Sequence, residues 1–185
     1  INNPLAGVLI YAELLKESLK DHPEDLEDVD EIIKQTLRCK KIVSELLEFS
    51  RQSIGSQSTF DLEKLINTCL NLLTKQAAFQ DIRIIKKIEP GMPTMLGDMG
   101  QLQQVFTNLF INASDAMEGV GKLHINAEFL SEESRFFIRI SDEGPGIPVE
   151  MQDKIFDIFY TSKPVGKGTG LGLSISQNII NLHGG

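Results

Sequence analysis

Along residues 5–20 the apolar positions Leu5, Val8, Ala12, Leu15 and Leu19 recur at alternating spacings of three and four. That period lays them on one face of an α-helix. Asp21-His22-Pro23 breaks the pattern, and Pro23 suits the first position of a second helix whose positive end meets Glu24, Asp25 and Glu27. Leu26, Val29, Ile33, Thr36, Lys40, Val43 and Leu47 carry the spacing onward, and Ile32, Cys39, Ile42, Leu46 and Phe49 widen the stripe. Two helices with a short turn form an antiparallel hairpin. Each stripe is broader than one partner helix covers, which predicts a homodimer closing a four-helix bundle through this hairpin. At ~1.5 Å per residue the second helix spans ~43 Å and the first, from Leu5, only ~24 Å. Pairing the second along its length calls for roughly a dozen residues before Ile1, and Pro4 then lies inside a helix and kinks it.

Gln52 to Thr59 (Q-S-I-G-S-Q-S-T) is polar and aperiodic, which reads as a linker. The expected division is a hairpin domain over 1–52, a linker over 53–59 and a second domain over 60–185. Asp61 is placed to cap a helix running to about Phe79 and buried through Leu62, Leu65, Ile66, Cys69, Leu70 and Leu73. Ile82 to Ile88 is rich in β-formers, and Pro90-Gly91-Met92-Pro93 is a loop. Asp98 with Gln101 reads as a capping box opening a helix to Met117. Leu123, Ile125, Ala127 and Phe129 alternate with polar residues as a half-buried strand, which Ser131-Glu132-Glu133-Ser134 turns back into Phe136 to Ile140. Helices on one face of a mostly antiparallel sheet give an α+β sandwich.

On the helix from Asp98, the residues Gln104, Asn108, Asn112 and Asp115 form a polar stripe opposite Leu102, Val105, Phe106, Leu109 and Ala113. Asparagine is a weak helix former, so its recurrence there points to chemistry. The last forty-odd residues add S-D-E-G-P-G-I-P (Ser141 to Pro148), I-F-D-I-F-Y-T-S-K (Ile155 to Lys163) and G-K-G-T-G-L-G-L-S-I (Gly166 to Ile175). An acid before glycines at a strand end, a loop with lysine and a glycine-rich start to a helix describe a phosphate ligand under a mobile cover. Neither G-x-x-x-x-G-K-[ST] nor G-x-G-x-x-G is matched, so the site is of neither the P-loop nor the Rossmann kind. A net charge of −8 argues against a nucleic-acid surface. The longest apolar runs fall far short of the roughly 18 residues of a membrane helix. Cys39 and Cys69 lack metal spacing and read as packed thiols.

These motifs, with N-L-F-I-N-A-S-D-A-M (Asn108 to Met117), occur in an order that resembles the two-component sensor histidine kinases. The opening I-N-N-P-L-A-G-V (Ile1 to Val8) is similar to the tail of that family's phosphoacceptor box, H-E-x-x-N-P, whose histidine falls two residues before Ile1. The resemblance implies a kinase core, cytoplasmic whether or not the full-length protein is membrane-anchored. ATP with Mg2+ phosphorylates the upstream histidine, and the phosphate passes to an aspartate on a response-regulator receiver domain. It implies that Asn112 donates its amide oxygen to Mg2+, with Asn108 ordering that shell or a phosphate as a catalytic group. Asp142 accepts a hydrogen bond from the adenine amino group and repels guanine's carbonyl. Gly144, Gly146 and Ile147 let the backbone approach the base. Phe156 and Phe159 anchor a lid, Phe159 beside the nucleotide. Lys163 and Lys167 meet phosphate, and Gly168, Thr169, Gly170, Leu171 and Gly172 form the lid's end and the helix start. Asn3, four residues after the missing histidine, orients an attacking water during regulator dephosphorylation. Asp115 departs from the pattern, because many such kinases carry a basic residue there. It points away or joins the metal's outer shell. The family's closing strands are expected beyond Gly185. Residues 1–185 are expected to bind ATP without phosphorylating themselves, since His22, His124 and His183 all lie in the wrong places. Two alternatives stay open: an ATPase of the gyrase, Hsp90 and MutL kind, which places a glutamate where this chain has Asn108, and an inactive dimerisation scaffold.

Overall fold

The computed structural model describes residues 2–20, 22–50, 57–164 and 168–185. The chain divides into two compact units, Ile1–Gln52 with Asp157–Leu171, and Ser53–Phe156 with Gly172–Gly185. The first holds the hairpin, α1 (Asn2–Ser18) and α2 (Pro23–Ser50). Between them the N–H of His22 donates to the carbonyl of Leu19 (2.8 Å), and that of Leu26 to His22 (3.2 Å). Ala12, Val29 and Thr36 are buried in the seam, where the Thr36 hydroxyl is satisfied by the carbonyl of Ile32 at 2.7 Å. Lys16 of α1 meets Asp30 of α2 at 2.6 Å, which raises the Lys16 ammonium pKa above its ordinary value. The outer part of the apolar stripe stays uncovered within one chain, with Val8, Leu15, Ile32 and Leu47 each at least 45% exposed.

The second unit begins with β1 (Ser58–Phe60), antiparallel to β3 (Met95–Gly97) with Phe60 opposite Met95. Ser58 and Thr59, expected in the linker, therefore belong to a strand. Their partner lies far along the sequence, which a local pattern does not reveal. Residues 51–56 of the expected linker lie outside the described residues. In α3 (Leu62–Leu73) the Asp61 carboxylate accepts the Lys64 N–H at 3.1 Å, and all six expected apolar residues are buried. The helix does not run to Phe79. It closes at Thr74, whose N–H reaches Leu70, and a 3-10 turn at Ala77–Phe79 then places Phe79 in the core.

The three-stranded sheet has the order β2 (Asp81–Ile88), β4 (Val120–Leu130), β5 (Arg135–Asp142). β4 and β5 are antiparallel, with Leu123 opposite Asp142, as the turn at 131–134 requires. β2 runs parallel to β4, Ile84 opposite Leu123, so this sheet is mixed where a mostly antiparallel sheet was expected. The reason is the crossover: β3 and α4 (Met99–Ala116) carry the chain back before β4 starts, and parallel neighbours need such a connection. A short α5 (Val149–Gln152) follows β5, and α6 (Gly172–Leu182) ends the unit. α4 packs against α3, α6, β4 and β5. Its buried Leu102, Val105, Phe106, Phe110 and Ala113 join Leu123, Ile125, Ala127, Ile175 and Ile179 in the core, which is the expected α+β layering after a helical hairpin. Burial also pushes the Cys69 thiol pKa up. Among the described residues no helix is long and apolar enough to cross a membrane.

Candidate functional site

α4 starts where Asp98 accepts the N–H groups of Gly100 (2.9 Å) and Gln101 (3.1 Å). The return bond of the expected capping box is not made to Gln101. Asp98's own N–H donates instead to His183 Nε2 at 3.0 Å, while His183 Nδ1 lies 2.8 Å from the carbonyl of Ile179. The imidazole thus links the start of α4 to the end of α6, with Nδ1 donating and Nε2 accepting. A Cβ at Gly97 would sit 2.8 Å from the ring, so the link needs glycine there.

Two turns into α4, the Asn108 amide donates to the carbonyl of Gly172 (3.3 Å) and to Ser176 Oγ (3.4 Å), and Ser176 itself donates to Gly172 at 2.8 Å. Asn108 thereby fixes the first turn of α6, the end that carries unsatisfied N–H groups and attracts anions. Asn112 follows one turn on, half-buried, and Asp115 is exposed near the helix end. At the end of β5, Asp142 Oδ1 accepts the Gly144 N–H at 2.9 Å. A Cβ at Gly144 would lie 2.8 Å from that oxygen and 2.9 Å from the Cβ of Ala116. The strand-end loop is therefore pressed against α4 at Ala116, one turn beyond Asn112. Gly146 holds φ +75°, a conformation glycine adopts without strain, and Ile147 and Asp142 stand exposed.

The segment Asp157–Leu171, in the other unit, folds on itself. The Phe159 N–H donates to the carbonyl of Gly170 at 3.0 Å, both residues at φ 70°. A Cβ at Gly170 would collide with the Phe159 backbone. The Lys163 N–H donates to Thr161 Oγ1 at 3.2 Å, and a Cβ at Gly168 would lie 2.6 Å from that hydroxyl. Thr169 Oγ1 accepts the N–H of Leu171, which is buried. Phe156 and Phe159 are 40% and 55% exposed. Phe159 is held at positive φ by its bond to Gly170. Lys167 lies outside the described residues, and Asn3 is exposed on α1.

Within the second unit, then, α4 brings Asn108 and Gly172 into contact and Ala116 against the Asp142–Gly144 loop, with Asn112 between them. Ser176, Ala116, and the Lys122–Glu143 pair beside Asp142 escaped the sequence reading. The pair had a signal: a hairpin that sets Leu123 opposite Asp142 also sets Lys122 against Glu143. Ala116 had none, because its part is only to be small. Among the described residues no group of three or more His, Cys, Asp or Glu could hold a metal ion.

Two family models match the chain: the His Kinase A (phospho-acceptor) domain over residues 1–55, and the histidine kinase-, DNA gyrase B-, and HSP90-like ATPase over residues 97–185. The signal transduction histidine-protein kinase AtoS of Escherichia coli (strain K12) is 34% identical over 185 residues, 100% of this chain and 30% of that protein. The chain thus spans less than a third of that curated relative. Full-length ShkA in complex with AMPPNP aligns at TM-score 0.76 and 26% identity, over 98% of this chain and 39% of that one. The catalytic domain of histidine kinase ThkA aligns at TM-score 0.61 and 31% identity, over 69% and 82%. ThkA in complex with the response regulator protein TrrA aligns at 0.71 and 26%, over 100% and 53%. A phosphoacceptor-type hairpin followed by this nucleotide-binding layer, matched along the whole chain, places the protein in the sensor histidine kinase family.

Proposed function

We propose that residues 1–185 are the kinase core of a sensor histidine kinase: a hairpin over 1–52, then a linker, and an ATP-binding domain that opens with β1 at Ser58 and runs to 185. The observation that carries the reading is the position of Asn112, one turn from Asn108 at the glycine-rich start of α6 and one turn from Ala116 under the Asp142 loop. A nucleotide laid between a helix N-terminus and an acid–glycine loop meets both ends of that span. Mg2+ takes most of its shell from phosphates and water and needs few protein oxygens. Asn112 would supply one such oxygen, and Asp142 would select adenine. Asn108, occupied with α6, holds the helix start that faces phosphate. ATP supplies the phosphoryl group, and the protein's share is positioning and charge neutralisation. An amide rather than a carboxylate at residue 108 offers no base to activate water, which disfavours the gyrase-like ATPase.

The acceptor is a histidine ahead of Ile1. None of the chain's three histidines precedes the I-N-N-P stretch, and His183 is engaged in tying α6 to α4. The TrrA complex of the relative ThkA supports a response-regulator receiver as the next acceptor, with Asn3 orienting water in the reverse, dephosphorylating step. The uncovered hairpin stripe supports a homodimer, and the reaction belongs to the cytoplasm. Incubating the full-length protein with γ-labelled ATP and Mg2+ should yield acid-labile label, and mixing with a receiver should remove it. Tight Mg-ATP binding with no label would leave an inactive scaffold instead.

A further inference from the structure

We propose that Glu143 is a positioning residue for base selection: by gripping Lys122 it fixes the loop that presents the Asp142 carboxylate. The inference rests on the nucleotide reading above. The pairing that sets Leu123 opposite Asp142 continues one step past the strand, where Glu143 meets Lys122 twice. The Lys122 backbone N–H donates to Oε2 at 3.1 Å and its ammonium to Oε1 at 3.0 Å. The grip holds the loop from the sheet side. From the helix side, Gly144 is pressed on Ala116 and ties Asp142 Oδ1 through its N–H. Asp142 is therefore fixed in backbone position and in carboxylate orientation, with its second oxygen left as acceptor.

A fixed acceptor discriminates better than a mobile one. It keeps its bond to an amino group, and it cannot swing away from a carbonyl presented at the same place. Both members of the pair are 46% exposed, so their removal disturbs the fold little while freeing the loop. A selectivity loss larger than a stability loss is what separates positioning from plain structural support.

The test is titration calorimetry of Mg-ATP and Mg-GTP on the wild type, Glu143→Ala and Glu143→Gln, with thermal midpoints alongside. Glu143→Ala should weaken ATP roughly two- to fivefold and narrow the ATP-over-GTP preference by a similar factor, with little change in midpoint. Glu143→Gln, which keeps an acceptor for the Lys122 N–H, should fall between. Equal weakening of both nucleotides, or no change in the ratio, would overturn the proposal while leaving the nucleotide site in place. A wild type that binds neither nucleotide would overturn the site and the inference together.

Discussion

Asn112 has a turn of helix on either side that is already committed, Asn108 to α6 and Ala116 to the strand-end loop. Replacing it by alanine should leave the fold intact and abolish the Mg-dependent part of ATP binding. A ligand at about 100 times its Kd stabilises by about 2.7 kcal/mol, so thermal shift with and without Mg-ATP reads the loss directly. Asp142→Asn removes a charge-assisted hydrogen bond of about 1.5–3 kcal/mol, or about ten- to a hundredfold in ATP affinity. It should also let GTP compete, which a competition titration measures. Glu143 adds a pH dependence. Its bond to Lys122 holds the carboxyl below its ordinary pKa, with the charges of Lys122 and His124 acting in the same direction. A depressed folded pKa means a contribution present above the unfolded value and lost as pH falls through the folded one. The difference in ATP-over-GTP preference between wild type and Glu143→Gln should thus shrink as pH falls from 7 into the carboxylate range. Most of these residues were legible because chemistry needs an acid or an amide at a fixed place in a motif. Glu143 and Ser176 were not, since their parts depend on what lies across a strand pair or a helix contact.

At the scale of elements, α4 gathers the site, and its start shows where local signals stop. Asp98 capped the helix as expected, but the returning bond came from His183. His183→Phe keeps a ring of similar size and strands the Asp98 N–H, which should cost about 1–3 kcal/mol in a urea titration. Gly97→Ala should destabilise because its methyl would lie 2.8 Å from that ring. The double variant Gly97→Ala/His183→Ala should cost less than the two single changes summed, the mark of a shared contact. Helix and strand interiors were legible from period alone. What failed were joints: α3's end at Leu73, the small β1–β3 pair, and the parallel partner of β2. The two strand pairings are decided by residues distant in sequence.

For the molecule as a whole, the stripe on α1 and α2 sets the state of assembly. Val43→Glu puts a charge into that stripe and should yield monomers in sedimentation velocity where the wild type sediments as a dimer. A wild-type dimer that survives the change would move the interface off the hairpin. The bond between Asp98 and His183 spans 85 positions and has a consequence for synthesis. Translation delivers α4 long before the imidazole that completes its cap, and domains generally fold as units while the chain emerges. During that interval the first turn of α4 holds an open N–H, and the apolar face of α4 waits for Ile175 and Ile179 of α6. A chain that stops short of His183 should therefore be cut faster at α4 in limited proteolysis than one that includes it, and equal rates would deny the imidazole that part.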